Sequence, residues 1–379
     1  MHVIHAKSAA SALAQGLNYL QEHGEPEPSR AGEVLVAPGP VTTLTTEPRN
    51  RVLFSRQRDA NPFFHLYEAL WMLGGRSDAA PLNKYVRDFG ERFAEPGGHV
   101  HGAYGARWRA AFGFDQLDHA VQTLAREPAS RQVVLQMWDA TATHTVEQTA
   151  VDHVTDQPDD RVILAGLDDA RGAWRDRPCN THAYLRLRPP SRYLGRDNSE
   201  EWARPRLDLT VCCRSNDAVW GAHGANAVHF SVLLEYLAAR LGAEVGEMWQ
   251  VSNNYHVYRS ELDRLRRRAE KLGDADLNRD LYARSTGEPP VDASPVFDEP
   301  DHADEDVAAF LAWHDAGRNP EGAPAYHNWW FAETAEPALL AHRYHREGDA
   351  RRALDACDKI ESRDWHVACR EWIERRTSK

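Results

Sequence analysis

The sequence predicts an α/β or α+β sheet protein with a helical tail, on three observations. Residues 61–74 (NPFFHLYEALWMLG) repeat their apolar side chains with helical period. Segments 182–188 (HAYLRLR) and 207–213 (LDLTVCC) alternate as half-buried strands do. Residues 332–376 break into two or three short helical stretches with no strand pattern between them.

In the first helix Phe64, Tyr67, Leu70, Trp71 and Leu73 form a broad apolar face. Asn61 before Pro62 supplies a cap and a first turn, and Gly74-Gly75 a stop. Residues 131–138 (RQVVLQMW) are apolar and β-branched enough for a strand, and 140–178 form an acidic, poorly patterned insertion. The two alternating strands are joined by 189–206, whose Pro, Gly, Ser and Asn content reads as a long hairpin loop. A second amphipathic helix spans 226–241, with Val228, Val232, Leu233, Tyr236 and Leu237 on one side, Asn226 as cap and Gly242 as stop. Segment 247–258 (EMWQVSNNYHVY) is extended. Between Val291 and Asp306 there are seven acids and no base, which marks a linker or solvated acidic loop.

Composition narrows the class. With 379 residues, 42% hydrophobic, and ordinary Gly and Pro content, the chain has a core; collagen-like and wholly disordered readings are excluded. No apolar run is long enough for a membrane span, and the N-terminus lacks the basic and apolar regions of a signal peptide. Five cysteines without a secretory signal point to reduced thiols in a cytoplasm, that of a host if a phage encodes the chain. The formal charge of −12 argues against stable nucleic-acid binding, so a phosphorylated small substrate needs a local cluster of arginines. The surplus is uneven: residues 1–260 hold 27 bases and 31 acids, residues 261–379 hold 18 and 26.

Cys179, after Pro178 at a loop-to-strand junction, is the candidate nucleophile. Arg175 and Arg177 are near in sequence, and Arg214 on a paired strand is a third cation able to hold a thiolate. Cys212, Cys213, Cys357 and Cys369 read as packed thiols, and no CxxC or paired-histidine spacing appears, so no metal site is expected. Glu68 lies in the apolar helix, where desolvation raises a carboxyl toward neutral pH and suits it to proton transfer. Arg214-Ser215-Asn216-Asp217 offers a guanidinium and a hydroxyl side by side for a phosphate, with Asp217 as a polar anchor. His256 and Tyr258 alternate on one strand face as donors toward a sugar.

In order, these segments resemble the thymidylate synthase / pyrimidine nucleotide hydroxymethylase family. The matching pieces are Glu68-Ala-Leu-Trp71 with Gly75, Tyr104-Gly-Ala-Arg-Trp108-Arg109, Ser130-Arg131, Pro178-Cys179, Arg214-Ser215-Asn216-Asp217 with Gly221, Asn226, and His256-Val257-Tyr258. The resemblance covers roughly residues 40–260 and implies a mixed sheet flanked by helices, with residues 1–260 as the catalytic domain and 261–379 as an acidic linker and helical C-terminal extension. It implies that Cys179 adds to C6 of a pyrimidine nucleoside monophosphate, making C5 a nucleophile toward the methylene of the co-substrate 5,10-methylenetetrahydrofolate. Glu68 would organise water and protons, with Tyr104 in that network. Arg214 and Ser215 would bind phosphate, joined by an N-terminal arginine (Arg49 or Arg51) and by Arg131 from the other subunit of a homodimer. Asn226 would read the base, His256 and Tyr258 the sugar, and Asp217 the folate pterin, while Phe89 and Phe93 stand in the segment where thymidylate synthases carry a tryptophan.

Departures from the family pattern bear on the product. The one-carbon unit on C5 ends as methyl if hydride arrives and as hydroxymethyl if water does, and hydride delivery needs a closed, dry site. Residues 85–93 (YVRDFGERF) lack the tryptophan, and the chain runs on past the family's closing apolar tail. Gln132 and Asn180 replace a usual arginine and histidine, and one residue is inserted between Gly221 and Asn226. These features favour 5-hydroxymethylation of dUMP or dCMP, with thymidylate synthesis from dUMP as the alternative. A non-catalytic nucleotide-binding protein is a third reading, opposed by the joint presence of Cys179, Glu68, Arg214 and Asn226. An amide at 226 can pair with either base; family usage of Asn with uracil favours dUMP, and the sugar is left open.

Overall fold

The computed structural model describes residues 1–141, 144–147, 161–164, 167–190, 192–194, 200–202, 204–283 and 289–377. The chain opens with β1 (His2–Ala6), α1 (Ala9–His23), β2 (Glu25–Ser29), β3 (Gly32–Val36) and β4 (Val41–Thr45). Next come α2 (Pro62–Leu73), the short α3 (Phe89–Phe93) and α4 (Tyr104–Ala106), α5 (Gln116–Arg126) and β5 (Val134–Gln136). A small hairpin, β6 (His144–Glu147) and β7 (Arg161–Leu164), precedes β8 (Asn180–Arg188); a second, β9 (Arg192–Leu194) and β10 (Glu200–Trp202), precedes β11 (Arg206–Asp217). Then α6 (Asn226–Arg240), β12 (Glu244–Tyr258) and α7 (Arg259–Leu272) lead to the tail helices α8 (Ala303–Asp315), α9 (Glu336–Arg346), α10 (Ala350–Cys357) and α11 (Arg363–Thr377).

The main sheet is mixed, in the order β1-β4-β12-β11-β8-β5, with β3 pairing the far end of β12 and β2 pairing β3. The central pair β11 and β12 is parallel; β11 runs antiparallel to β8, and β12 antiparallel to β4. α1 and α6 cover one face. On the other, Val134 and Tyr184, directly paired across β5 and β8, remain 43% and 45% exposed.

The two predicted helices form at the expected places. Asn61 caps α2 through Phe64 N–H, and Pro62 takes its first turn. Its apolar face is broader than the sequence suggests, because the tail covers the side that would otherwise meet water: every residue but Phe64 is buried. Asn226 does not cap α6. A π-turn, Ala218–Ala225, leads into the helix through a kink at Gly224, and Asp217 caps that turn through Val219 and Trp220 N–H, so the Asn226 side chain is free for other bonds. Of the expected strand 131–138 only Val134–Gln136 pairs, since β8 is its one neighbour. The insertion 140–178 and the linking stretch 189–206 carry β6–β7 and β9–β10; part of the linking stretch and much of the insertion lie outside the described residues. No described helix is long and apolar enough to cross a membrane.

Candidate active site

An open cleft of about 180 Å³ gathers Glu68, Phe89, Tyr104, Cys179 and Asn226 from five separate pieces of chain. Trp71, Phe93, Asp176, Arg177 and His229 complete its wall.

Each side chain is held by local chemistry. Tyr104 stands on α4, which lies so close to α2 that a Cβ on Gly105 would meet the Met72 carbonyl oxygen at 1.7 Å; only glycine fits. The same motif anchors itself through Arg107, fully buried, which forks onto Asp169 at 2.7 and 2.9 Å. Cys179 sits just before β8, where the pairing of β8 with β11 slips by one residue between Cys212 and Cys213; such a bulge re-aims the adjoining side chains. Arg214 clamps this turn. Its backbone N–H donates to the Cys179 carbonyl at 2.9 Å, and its Nε to the Pro178 carbonyl at 3.0 Å.

The Asn226 amide has a fixed orientation. Gln250 Nε2 donates to the Ala222 carbonyl at 3.0 Å, and a carbonyl can only accept, so Gln250 Oε1 faces Asn216. Asn216 Nδ2 donates to Gln250 Oε1 at 3.4 Å and to Ser252 Oγ at 3.0 Å; Asn226 Nδ2 then donates to Asn216 Oδ1 at 3.1 Å. Asn226 is left with its oxygen as the available acceptor.

The remaining predicted residues flank the cleft at the C-terminal ends of the parallel strands. Ser215 pairs in register with Asn254, and Asp217 with His256. Asp217 Oδ2 and His256 Nδ1 are buried without a hydrogen-bond partner, and the His256 and Tyr258 rings meet edge-to-face at 5.5 Å. Arg131 is exposed in the turn before β5 and does not line the cleft.

Some expectations are corrected. Arg175 turns away from the thiol to the carbonyls of Glu91 and Ala94 at 3.1 and 3.2 Å. Arg51 is no phosphate ligand, because it is 3% exposed and paired with the buried Glu235. Arg49 also leans on Glu235, at 3.6 Å, and borders a different groove. Arg30, exposed in the β2–β3 turn, is near enough to Tyr258 for its charge to be felt there. Burial first, then the carboxylates of Asp176 and Asp217, push the Cys179 thiol up, while Arg214 and the Tyr104 hydroxyl act the other way. Tyr104 stands within hydrogen-bonding reach of both this thiol and Asn180.

Three residues escaped the sequence reading. His229 lies one turn beyond Asn226 on α6, and that i, i+3 spacing was the available signal. Asp176, three residues before the nucleophile, has its carboxyl raised to about 6 by burial and by Glu68. Arg30 follows a Glu- and Pro-rich strand with no apolar pattern to mark it.

A sequence model of the family described as thymidylate synthase matches residues 56–280. A protein of Pseudomonas phage M6 named deoxyuridylate hydroxymethyltransferase is 35% identical over 99% of this chain and 95% of its own length. One of the same name from Bacillus phage SP01 is 30% identical over 60% of this chain and 54% of its own. The crystal structure of thymidylate synthase from T4 phage superposes with a TM-score of 0.45 at 15% identity, over 66% of this chain and 77% of that one.

Proposed function

The chain belongs to the thymidylate synthase family, and from that premise we propose that it transfers a one-carbon unit to C5 of dUMP and releases the product as the 5-hydroxymethyl nucleotide. The choice of base rests on the likeness to two phage proteins named for deoxyuridylate, and Asn226 is compatible with it: its oxygen can accept from uracil N3–H and its second Nδ2 hydrogen can reach O4. The near full-length likeness to the M6 protein, tail included, supports the hydroxymethyl product.

The cleft suits a folate. Phe89, Phe93 and Trp71 offer flat apolar faces beside the thiol, and the unpartnered Asp217 oxygen would accept from a pterin N–H. Bound there, 5,10-methylenetetrahydrofolate would supply the one-carbon unit. The protein's own part begins with Cys179, whose sulfur adds to C6 while the ring's electron pair moves toward C5 and O4. Asn226 holds the base, Arg214, Ser215 and Arg30 neutralise the phosphate, and His256 and Tyr258 hold the sugar. Once the unit is on C5 and the C5 hydrogen has left as a proton, an exocyclic methylene remains, to which water adds through its oxygen, giving up a proton. The electron pair then returns through the ring and expels the Cys179 sulfur. Asp176 makes the wall beside this carbon polar, so water is held where hydride chemistry would exclude it. The open sheet face around Val134 and Tyr184 is the surface for a homodimer in which Arg131 reaches the partner's nucleotide.

Incubation with dUMP, dCMP or CMP plus methylenetetrahydrofolate, with products identified by mass, tests the reading. Hydroxymethyl-dUMP is expected. Methyl product accompanied by dihydrofolate would refute hydroxymethylation, and retention of tritium at C5 of all three would refute one-carbon transfer. Cys179→Ser should abolish turnover and keep nucleotide binding.

A further inference from the structure

We propose that Glu68 and His229 act as a single acid–base pair in the cleft, with His229 carrying the proton and Glu68 orienting it. This rests on the one-carbon reading above.

His229 Nε2 lies 3.0 Å from Glu68 Oε2, and the two side chains are 2% and 8% exposed. The contact is close but off the line of the ring N–H: Glu68 Oε2 and both His229 nitrogens lack a directed hydrogen bond. Buried imidazoles and carboxylates are ordinarily satisfied, because each orphaned polar atom costs about 1–3 kcal/mol. Here the unsatisfied atoms belong to residues lining the cleft that holds the nucleophile. Packing alone does not account for the pair, since apolar side chains would join α2 to α6 at less expense in desolvation. The open valences fit a group that arrives with the substrate.

Position says which group. His229 is three residues beyond Asn226 on the same helical face, so the imidazole stands beside the base edge that Asn226 reads. Asn180 occupies the position after the cysteine where the resemblance expects a histidine, and α6 brings an imidazole to the same cleft from another direction. Protons balance over the cycle. As sulfur bonds to C6, the thiol proton passes through the imidazole to O4, which receives the C5=C6 electron pair. When C5 takes up the one-carbon unit the O4 proton returns to the imidazole, and the C5 hydrogen leaves as a proton to water. As the C6–S bond breaks, the imidazolium gives its proton back to the sulfur. Glu68 Oε2, 3.0 Å from Nε2, orients the ring. The groups facing His229 are Glu68 and His65 from α2, Tyr104 from α4, with its ring edge-on at 6.4 Å, and Cys179, Asp176 and Arg177 from the turn before β8.

The test reads tritium release from C5-labelled dUMP with methylenetetrahydrofolate, from about pH 5 to about pH 9, the span over which imidazole titrates. Wild type, His229→Gln, Glu68→Gln and the double variant are compared. A kcat loss of about 10²-fold or more is expected for His229→Gln, with KM for dUMP nearly unchanged and one limb of the pH profile gone. The double variant should be no slower than the worse single one. His229→Ala assayed with added imidazole, which should restore part of the rate, serves if the glutamine variant does not fold. Wild-type kcat and pH profile in His229→Gln, a defect confined to KM, or multiplicative losses in the double variant would overturn the pair. If wild type releases no tritium, the one-carbon reading fails instead, so the two failures are distinguishable.

Discussion

Asp176 acts on Cys179 through space, and the sign of its effect can be worked out. A negative carboxylate near sulfur disfavours the thiolate, which is why Asp176 and Asp217 hold the thiol up against Arg214. Asp176→Asn removes that charge and lowers the thiol pKa, so iodoacetamide should alkylate Cys179 about 2- to 10-fold faster at neutral pH, one pKa unit being worth tenfold. In wild type the same relief arrives as pH falls through about 6, where Asp176 takes up its proton. An alkylation rate that drops in Asp176→Asn would refute this arrangement. Of the expected site residues, Glu68, Phe89, Tyr104, Cys179 and Asn226 line the cleft, and their chemistry is unusual for their local pattern. Arg51 went astray because its partner Glu235 is 184 positions away; pairing between distant segments has no local trace. Asp176 and His229 looked like ordinary polar residues until folding removed their water.

α6 works on two sides at once. Its N-terminal turns present Asn226 and His229 to the cleft, while Glu235 further along is buried between Arg51 and the tail. There Glu235 Oε1 accepts the Val296 N–H at 2.9 Å, and its other oxygen pairs with Arg51. Glu235→Ala removes the carboxylate paired with the buried Arg51 guanidinium and should destabilise the fold by about 3–5 kcal/mol. A urea titration checks it; replacing both partners, as in Arg51→Met with Glu235→Leu, should recover much of the loss. A change below about 1 kcal/mol for Glu235→Ala would show that the pair is solvated. α2 was legible because cap, glycine and a 3.6 period agree over several turns, and α6 from its period and Gly242 alone, since its expected cap does not form. The N-terminal strands were not. β2 is EPEPS, wholly exposed with two prolines, and pairs only with β3, so nothing in its composition announces a strand.

The tail determines whether α2 has an inside and an outside. The family match ends at residue 280, yet the buried side chains of α8, α9 and α11 share one continuous core with α2. Phe63 meets the edge of Trp372 at 5.3 Å, Tyr67 stacks near His314 at 4.0 Å, and the Tyr85 hydroxyl bonds His314 Nε2 at 2.8 Å. The acid surplus read from the sequence is partly spent on this seam: Asp304 takes Arg109 and Asp315 takes Arg76, each at 2.6 Å. That charge is therefore complementary to the catalytic region rather than a separate acidic surface. A chain ending at residue 283 would expose Phe63, Tyr67 and their neighbours, and burying each such side chain is worth about 1.5–3 kcal/mol. Three or four of them approach the roughly 5–15 kcal/mol that a whole domain has in hand. The truncated chain should therefore be insoluble or show no cooperative thermal transition, and should not bind dUMP. A soluble 1–283 with a sharp melt and intact nucleotide binding would mean that α2 keeps Glu68 in place without its outer cover.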